Sequence, residues 1–126
     1  CLIVDAYDAA ARGPVLSSPE FYASCRAALH ADRPTVMAVN LFGRHRSFNV
    51  NIANIERAFD GRMLVLPPSE RGNVIAYAFG GPRFSLTVAD LRARAADLRA
   101  RTGLPFPRYL AGFRRANALD GTTIEI

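Results

Sequence analysis

Residues 35–42 read Thr35-Val36-Met37-Ala38-Val39-Asn40-Leu41-Phe42, a nearly all-apolar stretch that ends at Gly43. A short apolar run bounded by turn residues is typical of a strand that is covered on both faces, as in a parallel sheet. The shorter run Leu2-Ile3-Val4, which ends at Asp5, has the same pattern. Both runs therefore predict strands buried within a sheet.

Three amphipathic helices are predicted around these strands. The first begins at the N-cap Ser18, followed by Pro19, and ends before Arg33-Pro34. Its apolar stripe consists of Phe21, Cys25, Ala28 and Leu29. The second helix closes at Asp60-Gly61 and carries Phe48, Ile52, Ile55 and Phe59. The third begins at a Thr87/Asp90 capping box, ends at Gly103 and turns Val88, Leu91, Ala95 and Leu98 inward.

Two further strands, 63–66 and 74–79, are joined by a short connection that contains Pro67-Pro68. The resulting order is strand, helix, strand, helix, strand, strand, helix, which predicts an α/β domain with a mostly parallel sheet. Because a short connection joins antiparallel strands, one of the last two strands should run antiparallel. We therefore predict half of a doubly wound, Rossmann-like fold in residues 1–103 and an extension of unassigned structure in residues 104–126.

The composition excludes several classes of protein. A chain of 126 residues with 50% hydrophobic and 21% charged residues is typical of one small globular domain with its own core. Signal-peptide and membrane-span patterns are absent from the sequence. Because Cys1 and Cys25 lack the spacing of a zinc or disulfide framework, we expect no metal site and a reducing cytoplasm. The start inside an apolar strand predicts a piece of a longer protein.

The net charge of +5 comes from 16 basic residues, all of them Arg. They are spread along the chain without interleaved aromatic residues, so we expect no nucleic-acid partner. The outward face of the third helix is predicted to be solvated; it carries Arg92, Arg94, Arg99 and Arg101. The segment Arg44-His45-Arg46 follows a strand and could hold an anion, or it could form a solvated turn.

Two carboxylates follow the first strand. Asp5 and Asp8 lie where ligands bind in doubly wound sheets, outside the carboxyl ends of the strands. Such a pair can bind a cation, accept a proton from an amine or hold a metal. The alternatives are that Asp8 caps a turn and that Asp5 caps a neighbouring helix. The spacing alone leaves these possibilities open.

The surrounding motifs resemble the spermidine synthase family of polyamine aminopropyltransferases. The first three of the four segments that carry the resemblance are Leu2-Ile3-Val4-Asp5-Ala6-Tyr7-Asp8, Gly13-Pro14 and Leu16-Ser17-Ser18-Pro19-Glu20-Phe21-Tyr22. A fourth segment, Asn54-Ile55-Glu56-Arg57-Ala58-Phe59-Asp60-Gly61-Arg62, looks like the family's helix before its sixth strand. The resemblance covers residues 1–80 and implies the C-terminal half of a methyltransferase-type fold that binds S-adenosylmethionine derivatives.

The resemblance also implies an activity, the transfer of an aminopropyl group from decarboxylated S-adenosylmethionine to a diamine such as putrescine. Asp5 would then accept the amine proton, while Asp8 would bind the polyamine charge with Tyr7 beside it. Pro14 would line the nucleoside pocket. The implied co-substrate is decarboxylated S-adenosylmethionine, with no further cofactor and no membrane partner, and we expect a homodimer or a higher oligomer.

The chain also departs from the family pattern. Ala6-Tyr7 replace small hydroxylic residues inside the Asp pair, and Asn40-Leu41-Phe42-Gly43 replace a segment that carries Gln or Glu. The family's glycine-rich nucleoside loop lies upstream of the Asp pair, so we expect these 126 residues alone to be inactive. Two alternatives remain open: half of a methyltransferase domain, and a non-catalytic module that recruits another chain through its first strand.

Overall fold

A computed structural model describes residues 1–5 and 17–126 of the chain. The described elements, in chain order, are β1 (Leu2–Val4), α1 (Pro19–Ala27), β2 (Thr35–Phe42), α2 (Phe48–Ala58), β3 (Met63–Val65), β4 (Asn73–Gly80), β5 (Ser85–Thr87), α3 (Val88–Thr102), α4 (Phe106–Ala116) and β6 (Thr123–Glu125). The predicted α/β class is confirmed.

The main sheet is mixed, with the strand order β1-β2-β4-β3. Strand β1 is parallel to β2, whereas β4 is antiparallel to both of its neighbours, β2 and β3. Strands β1, β2 and β3 therefore point in one direction and β4 in the other. The antiparallel strand expected from the short β3–β4 connection is confirmed, and it lies inside the sheet between β2 and β3.

Helices α1 and α2 cover one face of this sheet. The core between them and the strands consists of Tyr22, Cys25, Met37, Val39, Leu41, Ile55, Phe59, Ala76 and Ala78. Alternate residues of β2 and β4 enter this core, while their neighbours on the other face are half-buried. The main sheet is thus most deeply buried on the side of α1 and α2.

Two details of the predicted burial are wrong. Ile3 is 76% exposed, because β1 is an edge strand and the described helices α1 and α2 pack only on the opposite face. Ala28, the C-cap residue of α1, is also exposed. Tyr22, which lies outside the predicted stripe, is fully buried instead.

The predicted N-caps of α1 and α3 and the predicted end of α3 are confirmed, whereas α1 ends at Ala27, several residues before Arg33-Pro34. Ser18 Oγ accepts the backbone N–H of Phe21 at 3.1 Å, which caps α1. Thr87 Oγ1 accepts the N–H of Asp90 at 3.0 Å and caps α3 in the same way. Gly103 ends α3 with φ of 75°, in the left-handed region that glycine adopts without steric cost.

Residues 104–126 form α4 and β6. Strand β6 pairs with β5 in a second, two-stranded antiparallel sheet. Val88, Ile124 and Ile126 form a small buried cluster there, and Phe79 of the main sheet packs against it. Within the part of the chain that the structure describes, no helix is long and apolar enough to cross a membrane.

Candidate functional site

Polar side chains gather at one edge of the main sheet. Strands β1, β2 and β3 all end at this edge, and the antiparallel strand β4 begins there. This edge brings together three side chains from different strands: Asp5, which follows β1, Asn40 of β2 and Asn73 of β4. This is the edge at which the sequence predicted ligand binding.

These three side chains form a chain of hydrogen bonds. Asn73 Nδ2 donates to Asn40 Oδ1 at 3.1 Å, and Asn40 Nδ2 donates to Asp5 Oδ1 at 3.2 Å. The register explains the contacts, because Val4 lies opposite Val39 and the next residues of both strands are Asp5 and Asn40. Asn40 thus connects the carboxylate to the centre of the sheet.

The turn before β4 holds Asn73 in place. The backbone N–H of Asn73 donates to Ser69 Oγ at 3.0 Å, and the N–H of Ser69 donates to the carbonyl of Asn73 at 2.8 Å. Gly72, with φ of 85°, allows the chain to turn here, and its carbonyl accepts the N–H of Gly43 at 2.9 Å. The turn is therefore tied to the end of β2 as well.

The side chains of Asp5, Asn40 and Asn73 form a polar row, and a cleft of about 380 Å³ lies beside it. Its polar lining residues are Asp5, Asn40, Ser69 and Asn73, and its apolar ones are Ile3, Val4, Ala38, Val39, Leu66, Pro67 and Ile75. Apolar walls with a few convergent polar groups are typical of small-molecule sites. A carboxylate at the polar end suits a ligand that combines a cationic group with an alkyl chain.

A second cleft, of about 970 Å³, lies between α3, α4, the β3–β4 connection and Tyr77 of β4. Its walls include Tyr77 and Phe113, whose rings pack edge to face with centroids 6.3 Å apart, and its rim includes Arg94 and Arg108. Glu70, at the rim, is the one carboxylate among the residues that line it. The smaller cleft is the better candidate site, because a carboxylate held by hydrogen bonds lines it.

The structure describes only one of the predicted site residues, Asp5. Tyr7, Asp8 and Pro14 lie outside the described residues, and their roles stay predictions. The segment Arg44-His45-Arg46 is exposed after β2, and His45 Nδ1 lies 2.7 Å from Ser47 Oγ. Within residues 1–5 and 17–126, no group of three His, Cys, Asp or Glu side chains could hold a metal ion.

The sequence pattern points to residues 40–46 as a ligand-side loop without singling out Asn40, and it does not indicate Asn73 at all. Asn40 is the one amide within the apolar run 35–42, which is a signal that could have marked it. Asn73 lies at the first position of β4 and carries no such signal. Their partnership depends on the antiparallel register of β2 and β4, which sets Asn73 opposite Phe42 and diagonal to Asn40.

A buried amide pair supports the entry to α1. Tyr22 Oη donates to Asn51 Oδ1 at 2.8 Å, and Asn54 Nδ2 donates to the carbonyl of Ser17 at 2.9 Å. Because buried polar groups are costly unless they are hydrogen-bonded, these contacts fix α1 against α2. Ser17 and the first turns of α1 are therefore held against α2.

The chain is similar to bacterial proteins named polyamine aminopropyltransferase, as the motifs around Asp5 predicted. Those of Neisseria meningitidis serogroups A and B are each 30% identical over 120 residues, which is 95% of this chain and 45% of theirs. That of Chromobacterium violaceum is 27% identical over 116 residues, or 92% of this chain and 44% of its own. The chain thus spans less than half the length of these relatives. No protein-family model and no solved structure matches it.

Proposed function

We propose that this chain contributes the amine-binding side of an aminopropyltransferase, with Asp5 as the proton acceptor. The observation that carries the proposal is the position of Asp5. It follows β1 at the edge where β1, β2 and β3 end, and it lines a cleft with mostly apolar walls. The similarity to polyamine aminopropyltransferases over 95% of the chain gives the reaction class.

The substrates are a diamine such as putrescine and decarboxylated S-adenosylmethionine. An alkylamine has a pKa near that of lysine, about 10.4, so it arrives as an ammonium ion that cannot attack carbon. Asp5 takes one proton from this ammonium ion. The freed nitrogen lone pair then attacks the methylene carbon next to the sulfonium, the carbon–sulfur bond breaks, and its electron pair stays on sulfur.

The apolar walls of the cleft suit the alkyl chain of the amine. Ile3, Ala38 and Ile75 lie on the face of the sheet that α1 and α2 leave uncovered, next to the polar row. Binding the methylene groups here places the nitrogen at Asp5, and holding two reactants in line supplies much of the rate of a transfer reaction. In this proposal Asp8 binds the second charge with Tyr7 beside it, and Pro14 lines the nucleoside pocket.

The strand order supports a Rossmann-like, methyltransferase-type fold for the whole protein. Three strands point in one direction and an antiparallel strand is inserted next to the last of them. In doubly wound sheets ligands bind outside the carboxyl ends of the strands, and Asp5 lies at such an end. The nucleoside half of the pocket would then be supplied by residues outside those described.

The test compares Asp5→Asn with a matched control, Asp32→Asn, in the natural protein that contains this chain. Asp32 is exposed and lies before β2, near the opposite edge of the sheet. With putrescine and decarboxylated S-adenosylmethionine, we expect Asp5→Asn to lower kcat by roughly 100-fold to 10,000-fold, as the loss of a general base does. Asp32→Asn should keep the activity of the unmodified protein.

Two results would contradict the proposal. Full turnover by Asp5→Asn would show that another group accepts the proton. A methylated amine formed from S-adenosylmethionine, with no aminopropyl product from its decarboxylated form, would identify a methyltransferase instead. Mass spectrometry of the amine products distinguishes the two reactions.

A further inference from the structure

The side-chain amide of Asn40 has a donor end and an acceptor end, and its neighbours determine which end meets Asp5. Asn40 Oδ1 accepts a hydrogen bond from Asn73 Nδ2 at 3.1 Å, so Nδ2 of Asn40 points the other way, to Asp5 Oδ1 at 3.2 Å. The reverse orientation would set the carbonyl oxygen of Asn40 against a carboxylate, which only accepts hydrogen bonds. The carboxylate of Asp5 at one end of the amide and Nδ2 of Asn73 at the other therefore both favour the donating orientation.

Asn73 lies at the far end of this series of hydrogen bonds, and a turn holds its backbone in place. The N–H of Asn73 donates to Ser69 Oγ at 3.0 Å, and Asn73 accepts the N–H of Ser69 through its own carbonyl at 2.8 Å. The chain thus runs from a closed turn across β4 and β2 to the end of β1. An anchored donor of this kind restricts the rotation of the Asp5 carboxylate.

We propose that Asn40 is a positioning residue for Asp5 and that Asn73 holds Asn40 in its donating orientation, an inference that rests on the proposed function. Asn40 occupies Oδ1 of the carboxylate. Oδ2 has no hydrogen-bond partner in the part of the chain that the structure describes. Because Asp5 lines the cleft, Oδ2 is the oxygen that takes the ammonium proton.

A purely structural role for Asn40 makes a different prediction. If the amide only satisfied polar groups at the end of the sheet, its loss would impair the protein whether or not Asp5 carried a carboxylate. A positioning residue acts only through its partner, so its loss has no effect once that partner is inactive. A double-mutant cycle separates these cases.

The experiment measures Asn40→Ala with Asp5 present and in the Asp5→Asn variant of the natural protein. Two quantities are followed: kcat/KM for putrescine with decarboxylated S-adenosylmethionine, and the affinity for putrescine alone by calorimetry. With Asp5 present we expect Asn40→Ala to lower kcat/KM by roughly tenfold to a hundredfold, as the loss of a hydrogen bond to a charged group does. In the Asp5→Asn variant we expect no further loss.

Asn73→Asp tests the orientation itself. A carboxylate at this position accepts from Asn40 Nδ2, which turns the carbonyl of Asn40 toward Asp5 and opposes it. We expect this variant to lower kcat/KM for putrescine as strongly as Asn40→Ala does, while the affinity for decarboxylated S-adenosylmethionine is unchanged.

Asn117→Ala is the matched control. The Asn117 amide joins α4 to β3 through Val65, at 2.7 and 2.8 Å, without contact to Asp5. Any effect of Asn117→Ala should be equal in both Asp5 backgrounds, as for a residue that acts through the fold.

Equal losses from Asn40→Ala in both backgrounds would overturn the positioning role. A protein that binds putrescine but transfers no aminopropyl group would refute the proposed function. The double-mutant cycle measured on putrescine affinity would still decide whether Asn40 acts through Asp5. A protein that neither binds nor transfers would refute both.

Discussion

Cys25 combines a reactive group with deep burial. It lies on α1 against the sheet, only 7% exposed, and this burial raises the pKa of its thiol above the ordinary value of 9.0. The cause is desolvation, because a thiolate is poorly stabilised away from water. Cys1, by contrast, is an exposed thiol.

We expect the contribution of Cys25 to stability to depend on pH. The unfolded chain releases the thiol proton above its ordinary pKa of 9.0, while the folded chain retains it up to the raised pKa. The unfolded state then binds fewer protons, so the free energy of unfolding decreases as the pH rises through this range. Urea unfolding at about pH 8 and about pH 10 measures this decrease.

The control for this prediction is the same pair of measurements on Cys25→Ala, in which the decrease due to the thiol should be missing. An equal dependence on pH in both proteins would contradict a buried, protonated Cys25. Cys1→Ser should behave like the unmodified protein.

At the scale of single residues, the sequence predicted Asp5 in its place but not its partners. Asp5 follows an apolar run, so its position at the end of a strand could be read from local pattern alone. The bond between Asn73 and Asn40 joins residues 33 positions apart, and it depends on a register that no local pattern specifies. Long-range register, rather than residue type, limited the prediction of the site.

Among the elements, α3 depends on a cap that also belongs to a strand. Thr87 ends β5, and its Oγ1 both accepts the N–H of Asp90 at 3.0 Å and donates to Asp90 Oδ2 at 2.6 Å. We expect Thr87→Ala to lower the free energy of unfolding by about 1 kcal/mol, since an N–H of the first turn loses its acceptor. Thermal unfolding followed by circular dichroism measures the loss.

Ser85→Ala is the matched control for the cap. Ser85 lies on the same exposed side of β5 as Thr87 but caps no helix. It should change the stability by a few tenths of a kcal/mol at most. Equal losses from the two substitutions would assign the effect of Thr87 to the strand rather than to the helix.

Elements with strong local signals were predictable, and elements without them were not. The run 35–42, the start of α1 and both ends of α3 were predicted within a residue of the observed bounds, because caps or turn residues mark them, whereas the end of α1 has no cap signal and was placed too late. Strands β5 and β6 have three residues each and, unlike the equally short β1 and β3, contain a single large apolar residue between polar ones rather than an apolar run. Helix α4 is amphipathic but was left unassigned, because Pro105 and Pro107 at its start make the segment look like a loop.

For the molecule as a whole, the centre of the main sheet should be the most protected region. Strands β2 and β4 pair over eight residues each, and the side chains of Met37, Ala76 and Ala78 are fully buried there. Strand β1 has three residues and lies at the edge, and α4 has no buried residue. Protection from exchange follows burial and hydrogen bonding, which differ most between these regions.

We therefore expect backbone amides within 37–41 and 74–78 to exchange with deuterium most slowly, and those of α4 and β1 fastest among the regular elements. Hydrogen exchange followed by nuclear magnetic resonance measures this order. Equally slow exchange in α4 would contradict it.

The insertion of β4 between β2 and β3 also has a consequence for how the protein folds during its synthesis. Strand β2 leaves the ribosome well before residues 73–80, the strand that occupies its long free edge. Until β4 arrives, the edge of β2 that faces away from β1 has no partner strand, which is the kind of surface that aggregates. We expect the interval of translation between residues 42 and 80 to be the stage at which this protein most needs chaperones.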